Sequence, residues 1–373
     1  MKIVFTGGVT GGHFYPIIAV AEEIREICKQ KKLIEPTLYF LSPAPYNEKI
    51  LFDNKIIYKK VPAGKMRLYP SILNFLDIFV TGIGLIKALW TMFWIYPDVV
   101  FSKGGGGSFP IVWASNILKI PVIVHESDSA PGRTNVWAAK RAKKIAVSYP
   151  EAAQFFQKDK VAWTGNPIRK NLKVAVTEGA KEYLDLETSV PTILILGGSQ
   201  GAKVINEVIT DALPELIKEF QIIHQVGKNS FSEISELSKI ILQNSQYAHR
   251  YKLFPYLDDL ALKMSAGAAD LIISRAGSTI FEIANWHKPS ILIPITESHD
   301  DHQRKNAYIY ARTGAGTVIE ESNLSDSILI TEIKRILDNK DIKDSMIAAA
   351  SDFAKPEAAL TIAKELLELG LNH

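Results

Sequence analysis

The chain has 373 residues, of which 47% are hydrophobic and 22% charged, so it is a folded protein that is too long for one ordinary core. Its formal net charge of +3 is too small to indicate nucleic-acid binding by itself. A single cysteine, Cys28, excludes an internal disulfide and is compatible with a reducing compartment. These bounds favour two α/β domains and no nucleic-acid partner.

Short apolar runs alternate with helix-like stretches through the first half of the chain. A first helix is expected after Pro16, with Ile17, Ile24 and Cys28 on its apolar face. Alternation of this kind predicts a parallel sheet with crossover helices, whose ligands lie beyond the carboxyl ends of the strands. The expected strands are Ile3–Thr6, Thr37–Leu41, Ile56–Lys59, Val99–Phe101, Val122–His125 and Lys144–Val147.

The segment Ile72–Tyr96 is unusually apolar for a solvated helix. Asp77 and Lys87 interrupt it, and its uncharged runs are shorter than the roughly 20 residues that cross a bilayer. A peripheral membrane face is the favoured interpretation, and a buried helix pair is the alternative. A basic stretch after Trp137 would add contacts with anionic headgroups, unless it is only a solvated helix face. Its cations are Lys140, Arg141, Lys143 and Lys144.

The second half repeats the alternating pattern. A natural boundary is the turn at 165–167, which predicts a first domain over 1–166 and a second over 167–355. A closing helix within 356–373 is a candidate to pack back on the first domain. The expected strands are Ile193–Leu196, Gln221–Gln225, Tyr251–Phe254, Leu271–Ser274, Ile291–Pro294 and Thr317–Ile319.

Two glycine turns each follow an apolar strand and open a helix. The first is Gly7–Gly12, followed by His13, and the second is Gly197–Gly201. Free backbone N–H groups at a positive helix end suit phosphate or developing negative charge. A histidine at such an end is kept neutral by the helix dipole, so it can accept a proton. The two turns together predict one active site that uses both halves.

Several motifs in this order resemble those of the MurG family of glycosyltransferases, within the GT-B class. They are GGVTGGHFYP (7–16), SKGGGGSFP (102–110), HESDSAPGRTN (125–135), GNPIR (165–169), GGSQGA (197–202), SRAGSTIFEIA (274–284) and HQRKNA (302–307). The resemblance covers almost the whole chain. It implies an α/β protein with two Rossmann-like, doubly wound parallel-sheet domains facing an interdomain cleft.

The resemblance also implies an activity and its partners. The activity is inverting transfer of N-acetylglucosamine (GlcNAc) from UDP-GlcNAc to the C4 hydroxyl of N-acetylmuramic acid (MurNAc). The partners are the donor UDP-GlcNAc and the acceptor lipid I, undecaprenyl-diphospho-MurNAc-pentapeptide. The product is lipid II for peptidoglycan synthesis. The expected location is the cytoplasmic side of the cell inner membrane, bound peripherally through 72–96 and 137–144. No cofactor and no metal are expected, and the polar loop His299–Asp301 is interpreted as solvated.

Residue roles are carried over by matching motif positions. His13 resembles the general base, while Thr10, Gly11 and Gly12 would meet the acceptor diphosphate, and Glu126 would contact a sugar or orient its loop. Arg169 would contact the donor phosphate, Glu282 the ribose, and Leu257 the uracil. His302 is interpreted as a polar sugar contact. The expected UDP-GlcNAc contacts are Asp128, Arg169, Ser199, Gln200, Leu257, Glu282, Gln303 and Asn306.

Some positions depart from the family pattern. Gly106 and Gly107 stand where many relatives have Tyr-Val, and Asp128 replaces a common asparagine. The spacing from Arg275 to Glu282 is one residue shorter than in many relatives. Alternatives are a transferase for another lipid acceptor such as diacylglycerol, a UDP-sugar 2-epimerase, and a non-catalytic scaffold that senses nucleotide sugars. An NAD-dependent oxidoreductase is disfavoured because the glycine turns break the G-x-G-x-x-G pattern.

Overall fold

The protein, described by a computed structural model, folds into two compact units. The structure describes residues 1–64, 72–198, 201–296 and 301–372, without the side chains of 72–76. The first unit comprises Met1–Lys170 and Lys355–His373, and the second comprises Asn171–Ala354. The chain therefore crosses from the first unit to the second after Lys170 and returns after Ala354. These two crossings lie a few residues from the positions expected from the turn at 165–167 and from the closing helix.

The first unit is built on a parallel seven-stranded sheet in the order β3-β2-β1-β4-β5-β6-β7. The central strands are buried on both faces, which explains why they are continuous apolar runs. The short edge strand β7 was not predicted from the sequence. The strands are β1 (Lys2–Thr6), β2 (Thr37–Ser42), β3 (Ile56–Lys60), β4 (Val99–Ser102), β5 (Val122–Glu126), β6 (Lys144–Val147) and β7 (Val161–Trp163).

Helices cover both faces of this sheet. They are α1 (Gly11–Gln30), α2 (Glu48–Asp53), α3 (Ile72–Ile95), α4 (Phe109–Ile117) and α5 (Arg133–Ala139). The prediction that α1 begins after Pro16 is wrong, because the carbonyl of Thr10 already accepts the N–H groups of His13 (3.1 Å) and Phe14 (3.0 Å). Pro16 lies inside the helix and deprives only the carbonyl of Gly12 of its helical partner.

The second unit has a parallel six-stranded sheet in the order β10-β9-β8-β11-β12-β13. Its strands are β8 (Thr192–Leu196), β9 (Gln221–Gln225), β10 (Tyr251–Phe254), β11 (Leu271–Ser274), β12 (Ser290–Leu292) and β13 (Gly316–Val318). Its helices are α6 (Ala180–Tyr183), α7 (Lys203–Glu219), α8 (Phe231–Leu242), α9 (Asp259–Ala268), α10 (Thr279–Asn285), α11 (His302–Arg312), α12 (Asp326–Leu337) and α13 (Lys340–Phe353). Both sheets confirm the predicted doubly wound α/β class.

A final helix, α14 (Ala358–Leu371), belongs to the first unit although it follows the second in sequence. Ile362, Ala363 and Leu366 are at most 1% exposed and join the core formed by α1 and the sheet. The closing helix therefore packs on the first unit, as its sequence position allowed. Short 3-10 helices complete the described secondary structure at Gly106–Ser108, Pro150–Phe155, Lys170–Leu172, Ala248–Arg250 and Glu321–Asn323.

Helix α3 is one continuous helix rather than the helix pair considered from the sequence. Within the described residues, its segment Asp77–Ile95 is the one helix that is long and apolar enough to cross a membrane by length and composition, with a mean hydropathy of 1.7. Ala88 and Met92 are fully buried, whereas the opposite face is open to solvent. That face, here called the α3 apolar face, consists of Ile78, Phe79, Ile83, Ile86, Trp90, Phe93 and Trp94.

Candidate active site

The strand order of the first sheet reverses between β1 and β4, which are neighbours although they are not consecutive. Ligands of doubly wound sheets bind beyond the carboxyl ends of the strands at such a switch point. Two turns emerge here: Gly7–Gly12 follows β1, and Lys103–Gly105 follows β4. The N–H of Lys103 donates to the carbonyl of Thr6 at 2.8 Å, so the two turns leave the sheet side by side.

Glycine is required where these turns approach His13. A Cβ on Gly8 would lie 2.9 Å from Nδ1 of His13. A Cβ on Gly105 would lie 3.2 Å from Nε2 of His13, and the φ of +77° at Gly105 also favours glycine. The imidazole is therefore held between two backbone segments. Its placement depends on the absence of side chains at both positions.

His13 is a neutral imidazole at the start of α1. Part of the ring remains accessible, but protein surrounds it densely enough that burial is the largest cause lowering its pKa to about 4. Lys103 lowers that pKa further, and Asp128 opposes the shift. Nδ1 lies 2.8 Å from the hydroxyl oxygen of Thr10. When this oxygen accepts the Nδ1 proton, Nε2 carries the lone pair that a general base needs.

Glu126, at the end of β5, orients a loop. Its Oε1 accepts the N–H of Asp128 at 2.9 Å, and its Oε2 accepts the N–H of Gly132 at 3.1 Å and Nδ2 of Asn135 at 2.8 Å. The side chain is 4% exposed, and burial raises its pKa while these hydrogen bonds oppose the rise. Of the two roles expected for Glu126, the geometry favours loop orientation. A buried carboxylate is also a poor partner for an anionic diphosphate.

Lys103 is a site residue that the sequence analysis did not single out. Its side chain is 1% exposed, and its ammonium donates to the hydroxyl oxygen of Ser127. Burial lowers its pKa to about 8, although Glu126 and Asp128 act in the opposite direction. The sequence feature that could have indicated Lys103 as a site residue is its position between a buried strand and a glycine run. Lysines in loops are usually solvated, so that signal was passed over.

Arg169 lies beside the same helix start as His13. Its guanidinium carbon is 4.1 Å from the centroid of the Tyr15 ring, two residues after His13. The N–H of the next residue, Lys170, donates to Oε2 of Glu22 on α1 at 3.1 Å. These contacts belong to the first unit. The predicted donor-phosphate residue is therefore positioned by the unit that also carries the predicted base.

The position of Gly107 has no room for a side chain. A Cβ there would lie 2.9 Å from the carbonyl oxygen of Gly7 and 2.8 Å from Cδ of Pro43. At Gly106, by contrast, the nearest described neighbour of such a Cβ is the carbonyl oxygen of Gly64 at 3.9 Å. Close packing on the first glycine turn thus accounts for glycine at 107 but not at 106.

The second sheet has its own switch point between β8 and β11. The turn after β8 needs glycine, because Gly198 and Gly201 have φ values of +78° and +81° and a Cβ on Gly201 would lie 2.4 Å from the carbonyl oxygen of Val226. Helix α7 then begins at Lys203 and presents its N-terminal end. The predicted diphosphate contacts Ser199 and Gln200 lie outside the described residues.

The predicted nucleoside contacts lie on neighbouring elements of the second unit. Leu257 is 2% exposed and packs in the core, so a contact with uracil would use its backbone. Glu282 is half-buried on α10, which follows the turn after β11. Both positions lie at the carboxyl edge of the sheet. Their roles in nucleoside binding stay predictions.

The predicted sugar contacts Gln303 and Asn306 lie on α11. Oε1 of Gln303 accepts the N–H of Ile295 at 3.3 Å, so its amide NH₂ group is the part left for a sugar hydroxyl. Glu321, which contacts the loop before α11, forms an ion pair with Arg275 at 2.6 Å. Thr296 donates its N–H to Glu321 at 3.1 Å.

The loop before α11 also contained the one candidate metal-binding stretch considered from the sequence. Within the described part of the chain, no group of three or more His, Cys, Asp or Glu side chains is arranged to hold a metal ion. His299 and Asp300 lie outside that part. His302, at the start of α11, is half-buried.

Comparison with known proteins identifies the family. Residues 3–147 match the family described as Glycosyltransferase family 28 N-terminal domain, and residues 192–362 match the Glycosyltransferase family 28 C-terminal domain. The chain belongs to glycosyltransferase family 28. The family's N-terminal match contains the His13 turn, and its C-terminal match contains the turn at Gly197–Gly201.

Full-length relatives within family 28 have closely matching names. Proteins of Natranaerobius thermophilus and Bacillus cereus are named UDP-N-acetylglucosamine--N-acetylmuramyl-(pentapeptide) pyrophosphoryl-undecaprenol N-acetylglucosamine transferase, the latter with the suffix 2. They are 34% and 35% identical, over 99% and 98% of this chain and 100% and 99% of their own lengths. The crystal structure of Acinetobacter baumannii MurG superposes with a TM-score of 0.73 at 25% identity, covering 99% of this chain and 100% of that one. The resemblance to the MurG family is confirmed.

Proposed function

We propose that this protein transfers GlcNAc from UDP-GlcNAc to the C4 hydroxyl of MurNAc in lipid I, with inversion at the anomeric carbon, to give lipid II. The observation that carries the proposal is His13, a neutral imidazole at the switch point of the first sheet, with its pKa lowered to about 4 and Nδ1 2.8 Å from the hydroxyl of Thr10. Membership of family 28 and the full-length relatives support the same reaction.

The reaction needs one base and no enzyme nucleophile. Nε2 of His13 accepts the proton of the C4 hydroxyl as the oxygen attacks the anomeric carbon. The bond from that carbon to the phosphate oxygen breaks, and UDP departs with the electron pair. The N-terminal N–H groups of α1, at Gly11 and Gly12, face the acceptor diphosphate, where the positive helix end stabilises negative charge.

The donor binds mainly to the second unit in this proposal. Backbone N–H groups of the turn at Gly197–Gly201 hold the diphosphate with the help of Ser199 and Gln200. Glu282 accepts hydrogen bonds from ribose hydroxyls, the backbone at Leu257 pairs with uracil, and α11 supplies the sugar contacts through Gln303 and Asn306. Arg169 and Asp128, from the first unit, complete the set. The guanidinium of Arg169 offsets the charge that grows on UDP as it leaves.

Turnover of a short-chain lipid I analogue with labelled UDP-GlcNAc tests the proposal. His13→Ala should lower turnover at least about 100-fold, because general bases contribute that much or more, while donor affinity stays within about twofold of the native value. Diacylglycerol serves as the control acceptor and should receive no label. Equal turnover in the variant and the native protein would remove His13 from the mechanism.

We also propose that the protein binds the cytoplasmic surface of the inner membrane peripherally through the α3 apolar face. Trp90 and Trp94 are 65% and 67% exposed. Helix α3 is long and apolar enough to cross a membrane, but it connects β3 to β4 of one sheet. A helix in that position cannot cross a bilayer without dismantling the sheet. Burial of its exposed groups in the headgroup region is therefore the mode that the fold permits.

Part of the basic stretch at 137–144 supports this membrane proposal. Lys140, Arg141 and Lys143 are exposed and follow α5, which ends at Ala139. The alternative interpretation of this stretch as a helix face is wrong, because α5 ends before Lys140. Lys144 begins β6 and pairs with Glu365 on α14. Three cations thus remain to attract anionic headgroups, at about 1 kcal/mol each near a charged surface.

A further inference from the structure

The ammonium group of Lys103 is enclosed at the edge of the candidate active site. The side chain is 1% exposed, and Nζ donates to the hydroxyl oxygen of Ser127 in the loop after β5. Enclosing a charge is costly unless other charges or hydrogen bonds compensate. The carboxylates of Glu126 and Asp128 supply that compensation, since both raise the proton affinity of the amine. The proposed reaction as described above makes no use of this charge.

The Cβ atoms of Lys103 and His13 both lie close to Gly7. The position of a Cβ on Gly7 is 3.3 Å from Cβ of Lys103 and 3.5 Å from Cβ of His13. The next residues after Lys103 then pass under the imidazole, where a Cβ on Gly105 would lie 3.2 Å from Nε2. The amine and the imidazole are thus fixed relative to each other by backbone packing. Neither residue can shift without moving a glycine turn.

The charges around His13 act in opposite directions. Positive charge on Lys103 disfavours the imidazolium, and negative charge on Asp128 favours it. Among the residues that the structure describes, the titratable and charged groups near α1's first turn include Tyr15, Tyr46, Lys103, Glu126, Asp128 and Arg169.

We propose that Lys103 is a positioning residue for the transfer, acting through His13: its enclosed ammonium adds to the effect of burial and further disfavours protonation of the imidazole in the free protein. This inference rests on the proposed function. An acceptor diphosphate bound at the start of α1 brings negative charge that opposes the field of Lys103. The proton affinity of His13 therefore rises when the acceptor is in place, at the step that requires a base.

Lys103→Met tests the proposal because it removes the charge and keeps an unbranched side chain. The pKa of His13, followed by NMR of labelled histidine in the free protein, should rise by about one unit, the lower range for a nearby charge. The acid limb of the pH profile of kcat/KM should move upward by the same amount, because that limb reports the free enzyme. Ser127→Ala is the matched control: it removes the hydrogen-bond partner, retains the ammonium, and should leave the pKa of His13 in place.

A measurement on the native protein covers the case in which the variant does not fold. The His13 resonances should show a second, smaller inflection near pH 8, where the Lys103 amine loses its proton. An unchanged pKa of His13 in Lys103→Met, or no inflection in the native titration, overturns the proposal. The NMR readout needs no substrate, so it is separate from the proposed function. A raised pKa of His13 in Lys103→Met, together with full turnover in His13→Ala, would instead contradict the proposed function. The electrostatic effect of Lys103 on His13 would still be supported.

Discussion

The hydroxyl of Thr10 is placed to select the tautomer of His13. Its oxygen lies 2.8 Å from Nδ1, and Thr10 flanks the start of α1 with extended backbone angles. Acceptance of the Nδ1 proton by this oxygen fixes both the ring orientation and the tautomer. The arrangement resembles a base oriented by a second polar group, with a neutral hydroxyl in the place of a carboxylate.

Thr10→Val should lower kcat about fivefold and leave donor affinity unchanged. A neutral hydrogen bond contributes about 1 kcal/mol, and 1.36 kcal/mol in the barrier corresponds to a factor of ten. Thr10→Ser retains the hydroxyl and should keep most of the activity. Steady-state kinetics with varied acceptor and donor separates kcat from KM. A serine variant as impaired as the valine variant would show that the methyl group, not the hydroxyl, matters.

At the residue scale, the sequence predicted His13 and its turn because glycine and helix-start patterns are local. The cause of the lowered proton affinity was only partly foreseen. The expected cause was the helix dipole, whereas burial is the largest cause in the structure and Lys103 the next. Burial by β4 and the loop after β5 depends on residues about 90 to 115 positions away, so no local pattern could reveal it.

At the element scale, the α3 apolar face makes the membrane proposal testable. Phe79 is 57% exposed, and the ring centroids of Trp90 and Trp94 lie 5.8 Å apart. Combined substitution of these three residues by serine should reduce sedimentation with vesicles containing anionic phospholipid at least about tenfold, because each large apolar group contributes more than 1 kcal/mol when it leaves water.

Phe52→Ser is the matched control for that experiment. Phe52 is 82% exposed, but it lies on α2, away from the α3 apolar face. It should leave vesicle binding unchanged. Circular dichroism checks that the triple variant retains its helices. Undiminished sedimentation of a folded triple variant would contradict the proposal that α3 contacts the membrane.

The predicted strands are all present, with ends that differ by at most two residues, because buried parallel strands are apolar along their whole length. The missed strand, β7, has three residues, and Ala162 and Trp163 are exposed. Its apolar run of three residues is too short to be distinguished from a loop. The start of α1 was misplaced because Pro16 was taken as the usual helix-start signal, while the glycine turn before it had already formed the first turn of helix.

At the scale of the whole molecule, α14 should stabilise the first unit specifically. Leu366 is fully buried in the core that includes α1. Leu366→Ala should lower the free energy of unfolding of that unit by about 2–5 kcal/mol, through lost burial and the cavity left behind. Leu213→Ala is the counterpart in the second unit, on α7, where the side chain is equally buried.

Tryptophan fluorescence during urea unfolding distinguishes the two variants. Trp286 is the tryptophan of the second unit, and the other five belong to the first. Trp286→Phe in both backgrounds leaves a signal from the first unit alone. That signal should shift to lower urea in Leu366→Ala and stay in place in Leu213→Ala. A shift of similar size in both would mean that the two units unfold as one.

The segment before the first crossing packs against the segment after the second crossing at Gly165. This residue, just before the first crossing, has a φ of +83°, and a Cβ there would lie 2.3 Å from Cβ of Lys355, just after the second. Lys355 also places its ammonium 4.0 Å from the Trp163 ring. The outgoing and returning segments thus touch where they meet the first unit. A protease that cuts only the segment after Gly165 would leave the second unit covalently joined to α14 alone, and α14 is held in the first unit by packing.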